Sequence, residues 1–262
     1  MKLHGRITVF GEYLQKDNLS YCACIKSKLF LSNYEDDSAI QHPTYHQSKD
    51  GSLKLLISTS GINNLNTLPI YGNLPLGYGM SSSTILSVLH LGSANNKELI
   101  VEIDKSTHGF SPSYLDYTSI TMQQNGIFGF GKWKPLLDFY PVYSVIILPK
   151  EQKFDLSAAK QKIDAFLDSQ IKLSNNLYEK LLSTREIEFN IFYDYCKLLF
   201  LCGAYSEVAT EIAGDMLGKG VSIKCIGGLY DKAVLCIHPD ENEKKVYDNY
   251  IADTYPFAII AE

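Results

Sequence analysis

The chain has 262 residues, of which 45% are hydrophobic and 20% charged, so it can bury a core and is not an intrinsically disordered sequence. It carries 24 Lys and Arg against 29 Asp and Glu, a formal charge of −5, without a run of basic residues. This balance argues against binding to nucleic acid or to an anionic membrane surface. No apolar stretch reaches the roughly 20 residues that span a bilayer. We therefore expect a globular protein without nucleic-acid or membrane partners.

The cysteine spacing is informative about the redox compartment. The six cysteines are scattered along the chain without a Cys-x-x-Cys pair, so we predict neither a zinc cage nor a disulfide framework. We expect reduced, mostly buried thiols that serve packing rather than catalysis. Cys22 and Cys24 are predicted on alternate faces of a strand, and Cys196 and Cys202 in an apolar helix. Since the first ten residues also lack the apolar core of a signal peptide, we expect a cytoplasmic protein.

The first half of the chain is predicted to consist of strands joined by loops. A short strand at 5–11 is bounded by glycines, and two further apolar or alternating segments lie at 21–31 and 52–58. A Pro/Gly cluster at 74–79 then runs into Met-Ser-Ser-Ser-Thr and an apolar stretch that ends near Leu91. That order predicts a glycine loop that opens a helix.

The second half changes from strands to long helices. We predict a buried strand at 141–148, a helix at 157–183, and a second helical region at 187–216 that is broken near Gly203. Two strands, at 222–226 and 232–237, flank a turn.

The glycine-containing segment at 122–134 is the best candidate for a domain boundary. We therefore predict two αβ lobes with a crevice between them, an N-terminal lobe at 1–133 and a C-terminal α/β sandwich at 134–262.

The loop at 75–84 is the segment with the clearest chemistry. Its glycines allow the backbone to approach an anion, and the N–H groups at a helix start point towards such an anion. A hydroxyl there can also ligate a phosphate-bound Mg²⁺. The segment lacks the Gly-Lys-Ser/Thr of a Walker loop and is not a Gly-x-Gly-x-x-Gly. From this pattern alone, an ordinary Pro/Gly turn with a serine N-cap remains the alternative.

Three further segments accompany this loop in a fixed order along the chain. They are Gly-Arg-Ile-Thr-Val-Phe-Gly-Glu-Tyr at 5–13, His-Gly-Phe-Ser-Pro-Ser-Tyr-Leu-Asp at 108–116, and Lys-Cys-Ile-Gly-Gly at 224–228. Together with Pro-Leu-Gly-Tyr-Gly-Met-Ser-Ser-Ser-Thr at 75–84, the series resembles the motifs of the GHMP kinase superfamily, which includes galactokinase and homoserine, mevalonate and phosphomevalonate kinases. The resemblance covers nearly the whole chain and is nearest to the mevalonate-type members.

The resemblance implies an α+β, two-lobed GHMP kinase fold, with a ribosomal protein S5 domain 2-like N-terminal lobe and a ferredoxin-like C-terminal lobe. It implies a kinase that transfers the γ-phosphoryl group of Mg-ATP to the hydroxyl of a mevalonate-like acid or a sugar, with ATP and Mg²⁺ as cofactors. The acceptor class stays open between those two, and the protein is expected as a monomer or homodimer.

The resemblance also implies a role for each matched position. Asp116 matches the base that accepts the proton of the acceptor hydroxyl, and Arg6 matches the cation beside the transferred phosphoryl group. Ser83 matches the Mg²⁺ ligand, with Ser82 as the alternative. Asp104 matches a second Mg²⁺ ligand, with Glu102 as its rival.

The resemblance implies that the remaining matched positions line the binding sites for the nucleotide and the acceptor. On the nucleotide side they are Pro75, Gly77, Gly79, Ser81, Ser82, Ser83, Thr84, Gly227 and Gly228. On the acceptor side they are Glu12, Tyr13, His108 and Ser113, for which a purely structural role is the alternative.

The sequence departs from the superfamily pattern at several of these motifs. In the first motif, His4 replaces the proline and Tyr13 replaces the histidine. Ser81 replaces the last glycine of the phosphate loop, and Tyr114 replaces the glycine after Ser113. The last motif keeps only two glycines. A binding or regulatory protein of the same fold with poor or absent ATP binding is therefore the alternative. A phosphorylating decarboxylase is less favoured, because its characteristic segments are not evident.

Overall fold

The computed structural model describes residues 1–14, 19–34, 46–47, 53–54, 70–108, 114–149, 161–203, 205–226 and 233–261. The chain packs as two compact units. The first comprises Met1–Arg6 and Lys26–Gln124, and the second Ile7–Ile25 and Asn125–Glu262. Strands β1 (Lys2–Phe10) and β2 (Cys22–Ser32) run through both units.

In its described residues, the first unit combines the start of β1 and the end of β2 with three helices. The two-residue strands β3 (His46–Gln47) and β4 (Leu53–Lys54) pair antiparallel, and β5 (Tyr71–Gly72) pairs antiparallel with the end of β2. The helices are α1 (Ser82–Leu91), α2 (Lys97–His108) and α3 (Tyr114–Met122), and α1 packs against the other two. Their apolar faces bury side chains that include Ile85, Val88, Leu89, Ile100 and Ile120.

The second unit contains a hairpin and a four-stranded sheet. Strands β6 (Gly126–Gly129) and β7 (Lys132–Pro135) form the hairpin, and β6 pairs antiparallel with β2. The four-stranded sheet has the order β11-β8-β10-β9 and is antiparallel throughout. Its strands are β8 (Val142–Ile147), β9 (Ser222–Cys225), β10 (Ala233–His238) and β11 (Ile259–Ala261).

Four helices that the structure describes over their full length pack on this sheet or beside it. They are α4 (Leu167–Thr184), α5 (Phe189–Leu201), α6 (Glu207–Gly218) and α7 (Glu241–Thr254). Helices α5 and α6 pack against β9, α4 packs against α5, and α7 packs against β8 and β10. Within the part of the chain that the structure describes, no helix is long and apolar enough to cross a membrane.

Strands β1, β2, β6 and β7 form a second sheet in that order, with β5 paired to β2. With these two sheets and the helices, the α+β architecture predicted from the sequence is confirmed. The helix expected after the glycine loop is α1, and the helical region expected to break near Gly203 is divided into α5 and α6. Most of the strand predicted at 52–58 lies outside the described residues. Helix α7 was not predicted because Ile251 is its one buried residue, so it lacks an apolar stripe. The lobe boundary after residue 133 stays a prediction; the segment around it forms the β6–β7 hairpin.

All six cysteines are buried free thiols. The prediction that Cys22 and Cys24 lie on alternate faces of their strand is wrong. Residues two apart in a strand share a face, and the two Sγ atoms lie 3.7 Å apart. Burial raises the pKa of the Cys196 thiol and raises that of Cys202 to about 11, which disfavours the reactive thiolate and leaves packing as their role.

Candidate active site

The loop that precedes α1 contains three residues in the left-handed backbone conformation. Gly77, Gly79 and Ser81 adopt left-handed conformations, with φ of 76°, 74° and 61°. Glycine reaches this region without a steric penalty, whereas serine does so at a cost because of its Cβ. The helical hydrogen-bond ladder begins where the Ile85 N–H donates to the Ser81 carbonyl at 3.1 Å. The positive end of the α1 dipole therefore lies at the end of this loop.

Contacts to β1 and within the loop hold it in place. The Arg6 N–H donates to the Met80 carbonyl at 3.2 Å, and the Gly77 N–H donates to the Ser82 hydroxyl at 3.0 Å. A Cβ on Gly5 would lie 2.6 Å from the Leu74 side chain and 3.2 Å from the Met80 carbonyl oxygen. Glycine at position 5 therefore allows the loop to lie directly against the strand.

Arg6, Ser81 and Asp116 meet at the end of this loop. Arg6 Nη2 lies 2.7 Å from Asp116 Oδ1, and Arg6 Nε donates to Ser81 Oγ at 2.9 Å. The Ser81 hydroxyl in turn donates to Asp116 Oδ1. The Arg6 side chain is 8% exposed and that of Asp116 is 27% exposed. The cation is thus largely removed from water, while the carboxylate is still accessible.

Each of the three residues is placed by a different element. Strand β1 carries Arg6, the loop carries Ser81, and the first turn of α3 carries Asp116, where the helix dipole favours a negative charge. Helix α3 is anchored at both ends. Tyr117 donates to the Ala94 carbonyl at 2.8 Å, and the side-chain oxygen of Gln123, just beyond the helix, accepts from the His4 N–H of β1 at 3.0 Å.

This arrangement suits a general base next to a fixed positive charge. Both described contacts of the Asp116 side chain involve Oδ1, and within the described part of the chain Oδ2 has no hydrogen-bond partner. That oxygen can accept a proton from a bound hydroxyl, while Arg6 offsets negative charge that develops nearby.

The residues predicted to bind magnesium lie on two helices. Ser83 is half-buried in the first turn of α1, and the neighbouring Ser82 hydroxyl is engaged with the Gly77 N–H. Asp104 and Glu102 lie on α2, where Glu102 is exposed. Hydroxyl and carboxylate oxygens are the donors that Mg²⁺ prefers. Among the described residues, no cluster of three or more His, Cys, Asp or Glu side chains could hold a metal.

The other predicted positions lie in the loop, in α1, in a short 3-10 helix and in α2, or fall outside the described residues. Pro75 and Thr84 are buried at the start of the loop and in α1, and Tyr13 is half-buried in a short 3-10 helix at Glu12–Leu14. His108 is the last residue of α2. Ser113, Gly227 and Gly228 lie outside the described residues.

No protein-family model matches the sequence, and no curated protein matches it. Solved structures match over the whole chain. The mevalonate kinase of Methanococcus jannaschii has a TM-score of 0.69 and 12% identity, and the match covers 100% of this chain and 96% of that one. The phosphomevalonate kinase of Streptococcus pneumoniae has a TM-score of 0.62 and 14% identity, with 100% and 97% coverage. The galactokinase of Lactococcus lactis, complexed with galactose, has a TM-score of 0.56 and 12% identity, with 99% and 92% coverage.

This chain has the GHMP kinase fold. The fold predicted from the four motifs is therefore confirmed, and mevalonate-type enzymes are among its structural neighbours, as expected. Identities of 12–14% show the shared fold alone.

The second unit of this GHMP kinase fold contains a buried ionic network that the sequence interpretation missed. Glu12, predicted to line the acceptor pocket, is 5% exposed and forms an ion pair with Lys224, which is fully buried. Lys224 Nζ also donates to the carbonyls of Thr8 at 3.1 Å and Cys225 at 2.8 Å. A lysine inside the otherwise apolar segment at 223–226 was the available signal, since a buried lysine needs a partner.

Tyr195 extends this network from α5. Its hydroxyl donates to Glu12 Oε2 at 3.4 Å and accepts from the Gly11 N–H at 3.0 Å. Burial and the neighbouring Glu12 charge raise the pKa of Tyr195, so it remains a protonated donor. The carboxylate of Glu12 is thus held by two buried side chains, and its assignment to acceptor binding stays a prediction.

Proposed function

We propose that the protein is an ATP-dependent small-molecule kinase that transfers the γ-phosphoryl group of Mg-ATP to an alcohol hydroxyl. The observation that carries the proposal is the contact of Arg6 and Ser81 with Asp116 at the end of a glycine loop and the start of a helix. The fold supports it, because mevalonate kinase, phosphomevalonate kinase and galactokinase structures share it.

In the proposed reaction, Asp116 accepts the proton from the acceptor hydroxyl through its open Oδ2. The acceptor oxygen forms the new bond to phosphorus, the bond between the γ-phosphorus and the bridging oxygen breaks, and ADP leaves. Arg6 offsets the charge that builds up on the transferred group, and the loop N–H groups with the α1 dipole hold the phosphates. Positioning and electrostatics therefore account for the chemistry.

Ser83 and Asp104 are the residues that we propose to hold the magnesium ion, which supplies positive charge to the phosphates when it is bound. Gly227 and Gly228 are proposed on the nucleotide side. Tyr13, His108 and Ser113 are proposed on the acceptor side.

The proposed acceptor is a mevalonate-like acid or a sugar. Solved structures of a mevalonate kinase in complex with R-mevalonate and of a galactokinase complexed with galactose share the fold of this chain. We propose a cytoplasmic monomer or homodimer.

The test is an assay of phosphoryl transfer. Purified protein is incubated with Mg-ATP and, in separate reactions, mevalonate and galactose, and phosphorylated product is detected by ³¹P NMR and mass spectrometry. We expect product with one of these acceptors and none with the Asp116→Asn variant. Binding of Mg-ATP without product from either acceptor would contradict the kinase proposal. Absence of both Mg-ATP binding and product would favour a binding protein on the kinase fold.

A further inference from the structure

Ser81 occupies the N-cap position of α1, yet it does not cap the helix. A serine at this position usually accepts a hydrogen bond from a backbone N–H in the first turn. Here the side chain makes no such bond. Its hydroxyl instead accepts from Arg6 Nε at 2.9 Å and donates to Asp116 Oδ1. The residue also adopts φ of 61°, a conformation that serine adopts at a cost. Capping is therefore not what the hydroxyl does at this position.

The two contacts connect Arg6 to Asp116 by a second route. The direct route joins Arg6 Nη2 to Oδ1 at 2.7 Å, and the other passes from Nε through the Ser81 hydroxyl to the same oxygen. Both donors thus converge on Oδ1. Within the described residues, Oδ2 has no hydrogen-bond partner. Two donors on one oxygen fix the rotation of the carboxylate and so determine which oxygen is available to a ligand.

We propose that Ser81 is a positioning residue, which fixes the carboxylate of Asp116 through Oδ1 so that Oδ2 is the atom that accepts the acceptor's proton. This role rests on the proposed kinase function and goes beyond it, because it assigns the two carboxylate oxygens different tasks. Without the serine hydroxyl, the carboxylate keeps one donor, Arg6 Nη2, and can rotate about it. Misorientation of a general base lowers the rate of the chemical step and leaves nucleotide binding unchanged.

Two substitutions at this position separate the hydroxyl from the backbone. Ser81→Ala removes the hydroxyl and keeps the Cβ in the left-handed conformation. Ser81→Gly removes the hydroxyl and relieves that conformation. If the hydroxyl positions Asp116, kcat falls by roughly tenfold or more in both variants, because a hydrogen bond to a charged group is lost in each. If residue 81 acts only through its backbone conformation, kcat differs between the two variants and changes in parallel with their thermal stability.

The experiment measures kcat and KM with Mg-ATP and whichever of mevalonate and galactose is phosphorylated, and calorimetric Kd values for Mg-ATP. Hydrolysis of Mg-ATP, with water as acceptor, is the assay if neither is phosphorylated. Ser93→Ala, a serine beyond the end of α1 whose hydroxyl accepts from the Asn95 N–H, is the control. We expect a lower kcat with unchanged Kd for both Ser81 variants and no change for the control.

Wild-type turnover distinguishes failure of this role from failure of the kinase function. Active wild-type protein with unchanged kcat in both Ser81 variants would refute the positioning role and leave the kinase function standing. A loss confined to nucleotide affinity would also refute it, since that result places Ser81 in phosphate binding. Absence of turnover in the wild type, with or without Mg-ATP binding, would overturn the kinase function and the positioning role together.

Discussion

Arg6 and Asp116 are 110 positions apart in the sequence, and their side chains meet with Nη2 at 2.7 Å from Oδ1. The strand β1 supplies the guanidinium, and the first turn of α3 supplies the carboxylate. The Arg6 side chain is nearly buried, whereas that of Asp116 is partly exposed. A ligand can therefore reach this ion pair at the Asp116 carboxylate. A general base in kinase chemistry needs this asymmetry, since the acceptor must reach it.

The first prediction concerns Asp116 as the base. Asp116→Asn keeps the size and most contacts of the side chain but removes its capacity to accept a proton. We expect turnover to fall by roughly 10²–10⁴-fold while the Kd for Mg-ATP stays nearly unchanged. Steady-state kinetics and calorimetry check both. Asp253→Asn, at an exposed site near the end of α7, is the matched control. Retention of wild-type turnover in Asp116→Asn would remove the residue as base.

The second prediction assigns the metal ligand on α1. Ser83→Ala should weaken ATP binding about tenfold or more when Mg²⁺ is present, because the metal ion loses one oxygen ligand. Binding of ATP without Mg²⁺ should stay unchanged. Titrations with and without Mg²⁺ in EDTA-treated protein measure the difference. The comparison variant is Ser82→Ala, whose hydroxyl accepts from the Gly77 N–H and supports the loop. If Ser82→Ala and not Ser83→Ala loses the Mg²⁺-dependent affinity, the ligand is Ser82.

The third prediction concerns the buried pair of Glu12 and Lys224. Removal of the lysine alone leaves a carboxylate that is 5% exposed without its cation. We expect Lys224→Met to lower the free energy of unfolding by about 3–5 kcal/mol, as for other broken buried ion pairs. The double variant with Glu12→Gln should recover part of that loss, since no unpaired charge remains. Urea unfolding of the wild type, the two single variants and the double variant measures the coupling free energy between the two charges. Additive effects would show that the two charges do not stabilise each other.

The fourth prediction concerns the pH dependence of stability. His238 is 2% exposed, and its Nε2 lies 3.1 Å from Ser144 Oγ. Burial lowers the pKa of His238, and the charge of Asp248 opposes that shift, while Lys244 and Glu241 contribute smaller effects of opposite sign. The unfolded chain, with a histidine pKa of about 6.5, therefore binds more protons than the folded protein. Stability is accordingly lost as pH falls through that value.

For one histidine, the slope reaches at most about 1.4 kcal/mol per pH unit. We expect His238→Gln to flatten the decline in the free energy of unfolding between pH 7.5 and pH 5.5. His90→Gln, on the last turn of α1, controls for the removal of a histidine at a half-buried position. An equal decline in wild type and His238→Gln would show that another group carries the effect.

The sequence predicted the fold well because the four motifs occur in order along the whole chain. It predicted α1 from the glycine loop and an apolar run, and it predicted Arg6 and Asp116 as partners in one site. It missed that the Ser81 hydroxyl is hydrogen-bonded to both Arg6 and Asp116. A motif comparison treats that serine as a replaced glycine, whereas its hydroxyl contacts depend on how β1 and α3 approach the loop.

The buried network was missed for a related reason. Glu12 follows a strand and a glycine in the sequence, a pattern equally compatible with a pocket or with the interior. Only the tertiary arrangement brings Lys224 and Tyr195 to it, over separations of 212 and 183 residues. Such long-range pairings leave no local periodicity that a single sequence can show.

Calorimetric titration of the wild-type protein with Mg-ATP and with a non-hydrolysable analogue tests the central claim most directly. The kinase function predicts saturable binding of both nucleotides with a micromolar to submillimolar Kd, and weaker binding when Mg²⁺ is removed. Absence of binding in a protein shown to be folded by circular dichroism would contradict it. The contact of Arg6, Ser81 and Asp116 would then belong to a binding protein that keeps the kinase fold.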